Sequence, residues 1–530
     1  MSPVRWGVVA ALAAALAWVL VSQPHDDGFR RGHRGWVTAH TLAIAQRASA
    51  SHGFVGYTLA LSTPARRDLY YFDRYPVFFA AGLHAAAQLV APDKHAQIHV
   101  SRQVMNLLYA ATIVMGAMLL VELGVTLELS VAGAAMAGAG YTMLHYRDMV
   151  HFDQPALLGL VALLWAIAGF HNGRGSARVL VVTALAVMAG RGYASYAALG
   201  SWWILDTIRS LGMPRQGTGG LLRTVATSLP TRACVLGIAI GAACLTYNIV
   251  VEARVRGVPL AESSIVVSAR QRLALDDGFN ERTDKRRRWQ RFLSSQQTNL
   301  VRSTLPWTEK DPLHRHDVAK GFFAASIVAV AFGFAWSRAG SLRVAALVAC
   351  SAGPLWLVAM RNLAAFHPYT AVYFFPLILL FFAALLQALP RRLGPAAALL
   401  ACGLLVVCVN ASNRHAGRHS RGLRLETTDM ETIAHALPAR AEVATDGQLF
   451  PGVPFALGFY LPDHDIAVEG PASFVLTRRA NFRGENLTPH NSGIYLFRPR
   501  GRYQARSSLA RLHTDTAAAA RRERRRRAAQ

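Results

Sequence analysis

Through residues 1–411 the apolar residues of this chain fall into long runs parted by polar segments, and after that the pattern changes. The first run, Trp6 to Ser22, follows a short basic N-terminus. Further runs occur at 103–124, 131–146, 156–170, 179–205, 233–251, 320–336, 342–359, 369–388 and 394–411. Most approach the roughly 20 residues that a helix needs to cross a hydrocarbon core about 30 Å thick. No small-residue cleavage site follows the first run, so it reads as a transmembrane helix and not as a signal peptide. The 179–205 stretch is broken by Gly190-Arg191-Gly192. Because an arginine at the lipid midplane is costly, this stretch reads as a helical hairpin with Arg191 at its tip. The result is a path of about eleven helices.

Two segments before residue 100 differ from the rest. Trp36 to Ala48 sets Trp36, Ala39, Leu42 and Ala43 on one helical face, and the Ala- and Phe-rich run Val77 to Ala91 lies between Pro76 and Pro92. Both suit helices lying in the membrane interface. A second crossing at 77–91 is the alternative, and it would invert the downstream topology.

Beyond Ser412, METIAHAL reads as a helix, while EVATD, ALGFYL, ASFVLT and SGIYLF read as short strands set off by Gly, Pro and Asp. The expected organisation is a transmembrane domain over 1–411, with a first external loop at 23–100 and a long external loop at 252–317. A small soluble α/β domain over 412–505 follows it. The tail 506–530, ending RRERRRRAAQ, is expected to be disordered.

Composition agrees with a membrane protein: 53% of the 530 residues are hydrophobic and mean hydropathy is +0.25. The balance of 56 Lys+Arg against 30 Asp+Glu gives +26 and a pI near 10.8. The cations lie in loops between apolar runs, which points to anionic lipid headgroups and phosphates and away from nucleic acid. The mixed basic and aromatic run KRRRWQRF (Lys285 to Phe292) reads first as a solvated charge run, with lipid phosphates or a charged glycan as the alternative partner. All five cysteines sit in apolar runs without ligand spacing, so neither a thiolate metal site nor a disulfide framework is expected. The short basic turns HNGRGSAR, SRAGSLR and PRRLG, with the 206–232 segment, belong on the cytoplasmic side. The segments 23–100, 147–154, 252–317 and 361–368 and the C-terminal domain then face outward. The 252–317 loop is itself basic, but loops beyond about 60 residues largely escape the charge rule.

On that path four polar patches share one face: Asp26 and Asp27 with Arg74, then Asp148, His151 and Asp153, then Arg191, then Arg361 with His367. Carboxylates beside lipid are expensive and usually face a cavity or a partner. The bland alternatives are a solvated connector at 25–76, an N-terminal cap role for Asp153, and a surface pair of Arg147 with Asp148.

The layout resembles the lipid-dependent GT-C glycosyltransferases, the superfamily of protein mannosyltransferases and the lipid A aminoarabinose transferase. Asp26 and Asp27 stand where that family has an acidic residue after its first helix. RYPVFF (Arg74 to Phe79) resembles its aromatic-proline motif, HFDQP matches its second acidic position, and GRGYAS (Gly190 to Ser195) looks like a variant of its basic turn. Asp-Asp in place of the frequent Asp-Glu, and the single Pro76 in place of twin prolines, depart from the pattern and leave the substrate open. The resemblance implies a polytopic membrane transferase using a polyprenyl-phosphate sugar donor and a glycan, lipid or protein acceptor. Asp27, with Asp26 second, is then the candidate general base, and Asp153 positions the acceptor or shares that role. Arg74, Arg191, Arg361 and His367 are candidates for the donor phosphate, where charge grows on the leaving group. His33, Asp148 and His151 are candidates for acceptor or divalent-cation contact, although no tight ligand spacing supports a metal. A transporter or flippase is the competing reading. It fits less well, because the charges gather at one membrane face and no internal repeat is evident.

Overall fold

The computed structural model describes residues 2–22, 29, 33–47, 57–60, 69–71, 77–90, 93–189, 193–211, 225–266, 285–308, 317–364, 367–438, 441–445, 452–461, 466–467, 470–491, 494–500 and 503–505. The chain opens with α1 (Pro3–Val21). The first loop then contributes α2 (His33–Arg47), the strands β1 (Tyr57–Ala60) and β2 (Leu69–Tyr71), and α3 (Val77–Gln88). Next come α4 (Lys94–Glu122), α5 (Leu127–Gly138), α6 (Tyr141–Tyr146), α7 (Asp153–His171), α8 (Ser176–Met188), α9 (Tyr193–Leu211) and α10 (Leu229–Arg256). After them follow α11 (Lys285–Thr304), α12 (Asp317–Ser337) and α13 (Leu342–Ala359). A 3-10 turn (Pro368–Phe374) then runs into α14 (Phe375–Gln387), and α15 (Gly394–Ala436) comes last.

Among the described residues, eight helices are long and apolar enough to cross a membrane: α1, α4, α7, α10, α12, α13, the 3-10 turn with α14, and the first part of α15. The other expected crossings form α5, α8 and α9, of which α5 and α8 are only 12 and 13 residues long. The middle of the bundle is α14, whose span is 89% buried, while α10 at 17% faces outward over most of its length. Local signals set several boundaries. Asp93 caps α4 by accepting from His95 N and Ala96 N at 2.8 and 3.2 Å. Gly257, at φ 65°, ends α10 in the left-handed conformation that a side chain disfavours.

Two sets of contacts define the two ends of the bundle. At one end Arg5 pairs with Glu128 at 3.0 Å. There the buried Glu122 also holds Arg174 at 2.9 Å and accepts from Asn172 at 2.9 Å, and Arg338 donates to Gln387 at 3.0 Å. This end gathers basic turns from 171–178 and 337–343. At the other end Gln103 donates to Leu20 O at 3.2 Å, and Asn413 donates to Ser22 O at 2.6 Å.

The expected continuous helix over 131–146 is broken. A Cβ at Gly140 would collide with the Ser303 carbonyl. The chain turns there to bridge Pro306, with Tyr141 N donating to Leu305 O at 2.9 Å and Trp307 N to Ala139 O at 3.0 Å. Only a residue without a side chain permits that approach.

Above this second end lies a seven-stranded sheet, ordered β2-β1-β4-β3-β6-β8-β7, with β3 (Val443–Thr445), β4 (Ile466–Ala467), β6 (Phe474–Thr477), β7 (Gly484–Asn486) and β8 (Tyr495–Pro499). A separate pair joins β5 (Gly470–Ala472) to β9 (Tyr503–Ala505). The first loop and the C-terminal region thus build one sheet: β1 runs parallel to β4 with Ala60 opposite Ala467. ALGFYL, expected as a strand, is instead the core of α16 (Gly452–Tyr460), whose Ala456 to Tyr460 are all buried. A short run that is buried all round carries no period, so its type cannot be read from alternation. α16 packs on α2. Arg47 donates to Leu461 O at 3.1 Å, and the Phe29 ring meets Phe459 and Tyr460 at 5.5 and 6.0 Å. In α2, then, the continuous stretch Val37 to Ala45 is buried, where an interfacial helix would bury one face only. α3 buries one face, Ala80, Leu83 and Ala87, and exposes Phe78. α15 runs unbroken past residue 411 to Ala436. There its Asp429 accepts from Ile494 N at 2.9 Å and ties the helix to the sheet.

Candidate active site at the sheet end of the bundle

The break at Gly140 frees α6 and aims the loop 147–152 across the sheet end of the bundle. Asp153 is the first residue of α7, where the helix dipole favours a carboxylate. Phe152, without a capping side chain, occupies the cap position. The Asp153 carboxylate is turned sideways: Oδ2 lies 2.5 Å from His151 Nδ1, and Oδ1 accepts from the Tyr373 hydroxyl at 2.9 Å. Asp153 and His151 are each 2% exposed, which is rare for a carboxylate and is sustained by such partners. Asp148 and Arg147 are equally buried, at 1% each.

Tyr373 is placed by two features of α13. A Cβ at Gly353 would strike the Tyr373 carbonyl, so glycine there lets the 3-10 turn lie against the helix. The Trp356 ring also packs on the Tyr373 ring at 4.3 Å between centroids. Tyr369, one 3-10 turn earlier, carries an aromatic relay. Its ring stands 5.3 Å from His151, 5.2 Å from His367 and 6.1 Å from Tyr146. The loop is pinned from the other side by α2, where Val150 N donates to Thr38 Oγ1 at 3.2 Å. Asn413 of α15 closes the arrangement. Its Oδ1 accepts from Arg147, and its Nδ2 donates to Ser22 O and to Ser22 Oγ at 3.1 Å. One amide therefore links the exit of α1 to the acidic loop.

The structure brings His151 and Asp153 into direct contact and sets His367 beside His151 through Tyr369. Arg361 is placed differently. It is exposed, with its guanidinium over the Trp289 ring at 5.3 Å, in the company of α11. Asp26, Asp27, Arg74 and Arg191 lie outside the described residues, as do the side chains of His33 and Trp36. Among the described residues no three His, Cys, Asp or Glu side chains come together to hold a metal ion. Sequence reading missed Tyr373, Tyr369, Thr38 and Asn413. The two tyrosines sat in an apolar run taken as the body of a span, although Pro368 at the start of YTAVY marks a turn.

No family model matches the sequence, and no curated protein matches it. Solved structures do resemble it. ArnT from Cupriavidus metallidurans bound to undecaprenyl phosphate aligns with a TM-score of 0.57 at 13% identity, over 88% of this chain and 86% of that chain. The apo state of the same protein gives 0.51 at 14%, over the same shares. The archaeal oligosaccharyltransferase AglB from Archaeoglobus fulgidus, in complex with an inhibitory peptide and a dolichol-phosphate, gives 0.47 at 12%, over 87% of this chain and 64% of that chain. The likeness to ArnT covers most of both chains, and the chain accordingly shares the fold of ArnT.

Proposed function

We propose that the chain is an integral-membrane glycosyltransferase that moves a sugar from a polyprenyl-phosphate-linked donor to a glycan, lipid or protein acceptor at the outer face of a bacterial inner membrane. The observation that carries this reading is the buried Asp153, fixed by His151 and Tyr373 at the sheet end of the bundle. It lies in a fold like that of ArnT, a protein crystallised with undecaprenyl phosphate.

The chemistry follows from the groups. An acceptor hydroxyl attacks the anomeric carbon and must give up a proton, and the leaving polyprenyl phosphate takes up negative charge. Asp27, with Asp26 second, is the base in this reading. Asp153, its direction set by two donors, orients the acceptor, with Asp148 and His151 at its side. Arg74, Arg191, Arg361 and His367 supply positive or donor groups to the phosphate, where fixed donors lower the barrier most. A transporter or flippase would instead carry its ionisable groups near the bilayer midplane. Asp153 begins α7 at one end of the bundle.

The test is transfer from a labelled polyprenyl-phosphate sugar by Asp27→Asn and Asp153→Asn variants that insert and fold as the parent does. Asp27→Asn is expected to lose at least about 100-fold in rate, the scale of general-base catalysis. Full activity in both variants would remove the mechanism.

A further inference from the structure

The end of the bundle away from the sheet carries a surface that the transfer reaction does not use. On α12 the residues Phe322, Ala325, Ala329, Phe332 and Trp336 follow one another at helical spacing and are all exposed, in a span only 28% buried. No neighbouring helix covers this stripe, so it meets the lipid hydrocarbon. From Phe322 to Trp336 the helix rises about 21 Å. That rise brings Trp336, which is 64% exposed, toward the far boundary of the hydrocarbon, the depth that tryptophan favours.

The chain turns just beyond Trp336, with Gly340 at φ 54°, and α13 begins. Arg343, in the first turn of α13, lays its guanidinium over the Trp336 ring at 5.0 Å, and its Nε donates to Arg338 O at 3.1 Å. Its two Nη groups have no acceptor among the described residues. The turn itself is fixed, because Arg338 donates to Leu123 O at 3.4 Å and to Gln387 Oε1 at 3.0 Å. Just past Gln387, Arg391 and Arg392 stand exposed. The carboxylates of this end are engaged elsewhere: Glu122 with Arg174, Glu128 with Arg5, and Asp206 of α9 beside Arg209. Arg338, Arg343, Arg391 and Arg392 therefore gather at two adjoining turns, and none of them is paired with a carboxylate among the described residues. An exposed indole under a guanidinium offers a flat apolar ring to acyl chains and free N–H donors to the plane of the phosphates.

We infer that Trp336 and Arg343 form a binding site for the headgroup of an anionic phospholipid in the leaflet at this end of the bundle. The indole lies against the glycerol and the first acyl carbons, and the Nη groups of Arg343 donate to the phosphate. A zwitterionic choline lipid carries the same phosphate, but its ammonium would enter the field of four guanidiniums, so a lipid of net negative charge is preferred. This site stands apart from the proposed transfer reaction and holds even if that reaction is something else.

The test uses the full chain in nanodiscs of brominated phosphatidylglycerol or brominated phosphatidylcholine diluted into unlabelled neutral lipid. The chain has 10 tryptophans, so the Trp336 signal is taken as the difference between the parent and a Trp336→Phe variant. Phosphatidylglycerol is expected to quench that signal at a mole fraction at least about threefold below that needed for phosphatidylcholine, the enrichment that a cation at the membrane surface gives. Arg343→Gln should erase the preference while leaving quenching by phosphatidylcholine in place, and Arg343→Lys should keep most of it. Equal quenching by the two lipids in the parent, quenching by neither, or a preference that survives Arg343→Gln would each overturn the site.

Discussion

Tyr373 is the residue whose chemistry is easiest to isolate, because its hydroxyl is a single donor to the buried Asp153 carboxylate. Removing that oxygen as Tyr373→Phe leaves the ring against Trp356 and withdraws only the hydrogen bond. A hydrogen bond to a charged group is worth about 1.5–3 kcal/mol. The transfer rate is therefore expected to fall about 10- to 100-fold with the protein still folded, as steady-state kinetics beside a melting curve would report. An unchanged rate would mean that the orientation of Asp153 does not matter to turnover. Asn413 works differently, since it touches both Arg147 and Ser22. Asn413→Ala uncouples the α1 exit from the acidic loop, and its loss should be divided between activity and stability.

At the scale of elements, the site depends on two glycines that let backbones meet. Gly140 admits the end of α11 against the break between α5 and α6, and Gly353 admits the 3-10 turn against α13. Gly353→Ala inserts a methyl group into the Tyr373 carbonyl, an overpacking cost of about 1–3 kcal/mol. The expected result is a lower melting temperature with a loss of transfer at least as large as that of Tyr373→Phe, because the whole turn shifts. Near-parental melting and rate would show that the turn relaxes freely. A second structural anchor stands on α10, where the buried Glu252 accepts from Ser264 N at 2.8 Å and pairs with Arg256 at 2.6 Å. This fixes the segment that follows α10 onto the end of its own helix.

Over the whole molecule, the first loop and the C-terminal region share one sheet and one apolar cluster, in which Ala39 and Leu42 pack with Leu457, Phe459 and Leu476. A chain ending at residue 438 loses β3 to β9 and α16, and leaves the buried surface of α2 open. Amide exchange over 57–60 and 69–71 is expected to become as fast as in a free peptide in that truncation, and slow exchange there would show that the two strands fold without their partners. Sidedness is a separate question. Cysteines introduced at Gln290 and Glu485 should react with an impermeant reagent from outside the cell, and one at Arg174 should not. Reversed labelling would invert the orientation proposed for the site.

The sequence by itself determined the parts that depend on solvent preference. Apolar runs near the span length became helices, because lipid leaves an unpaired backbone no other partner. The polar interruption YRDMVHFDQP held its acidic residues at the start of α7. The tertiary structure decided what depends on a neighbour distant in the chain. ALGFYL became a helix because it is buried on all sides between α2 and the sheet. The run 131–146 broke because the Ser303 carbonyl comes to Gly140. Tyr373 joined Asp153 because Gly353, twenty residues earlier, makes room for its backbone. None of these contacts leaves a period or a composition along the chain, so the partners of Asp153 become visible only when the helices are packed together.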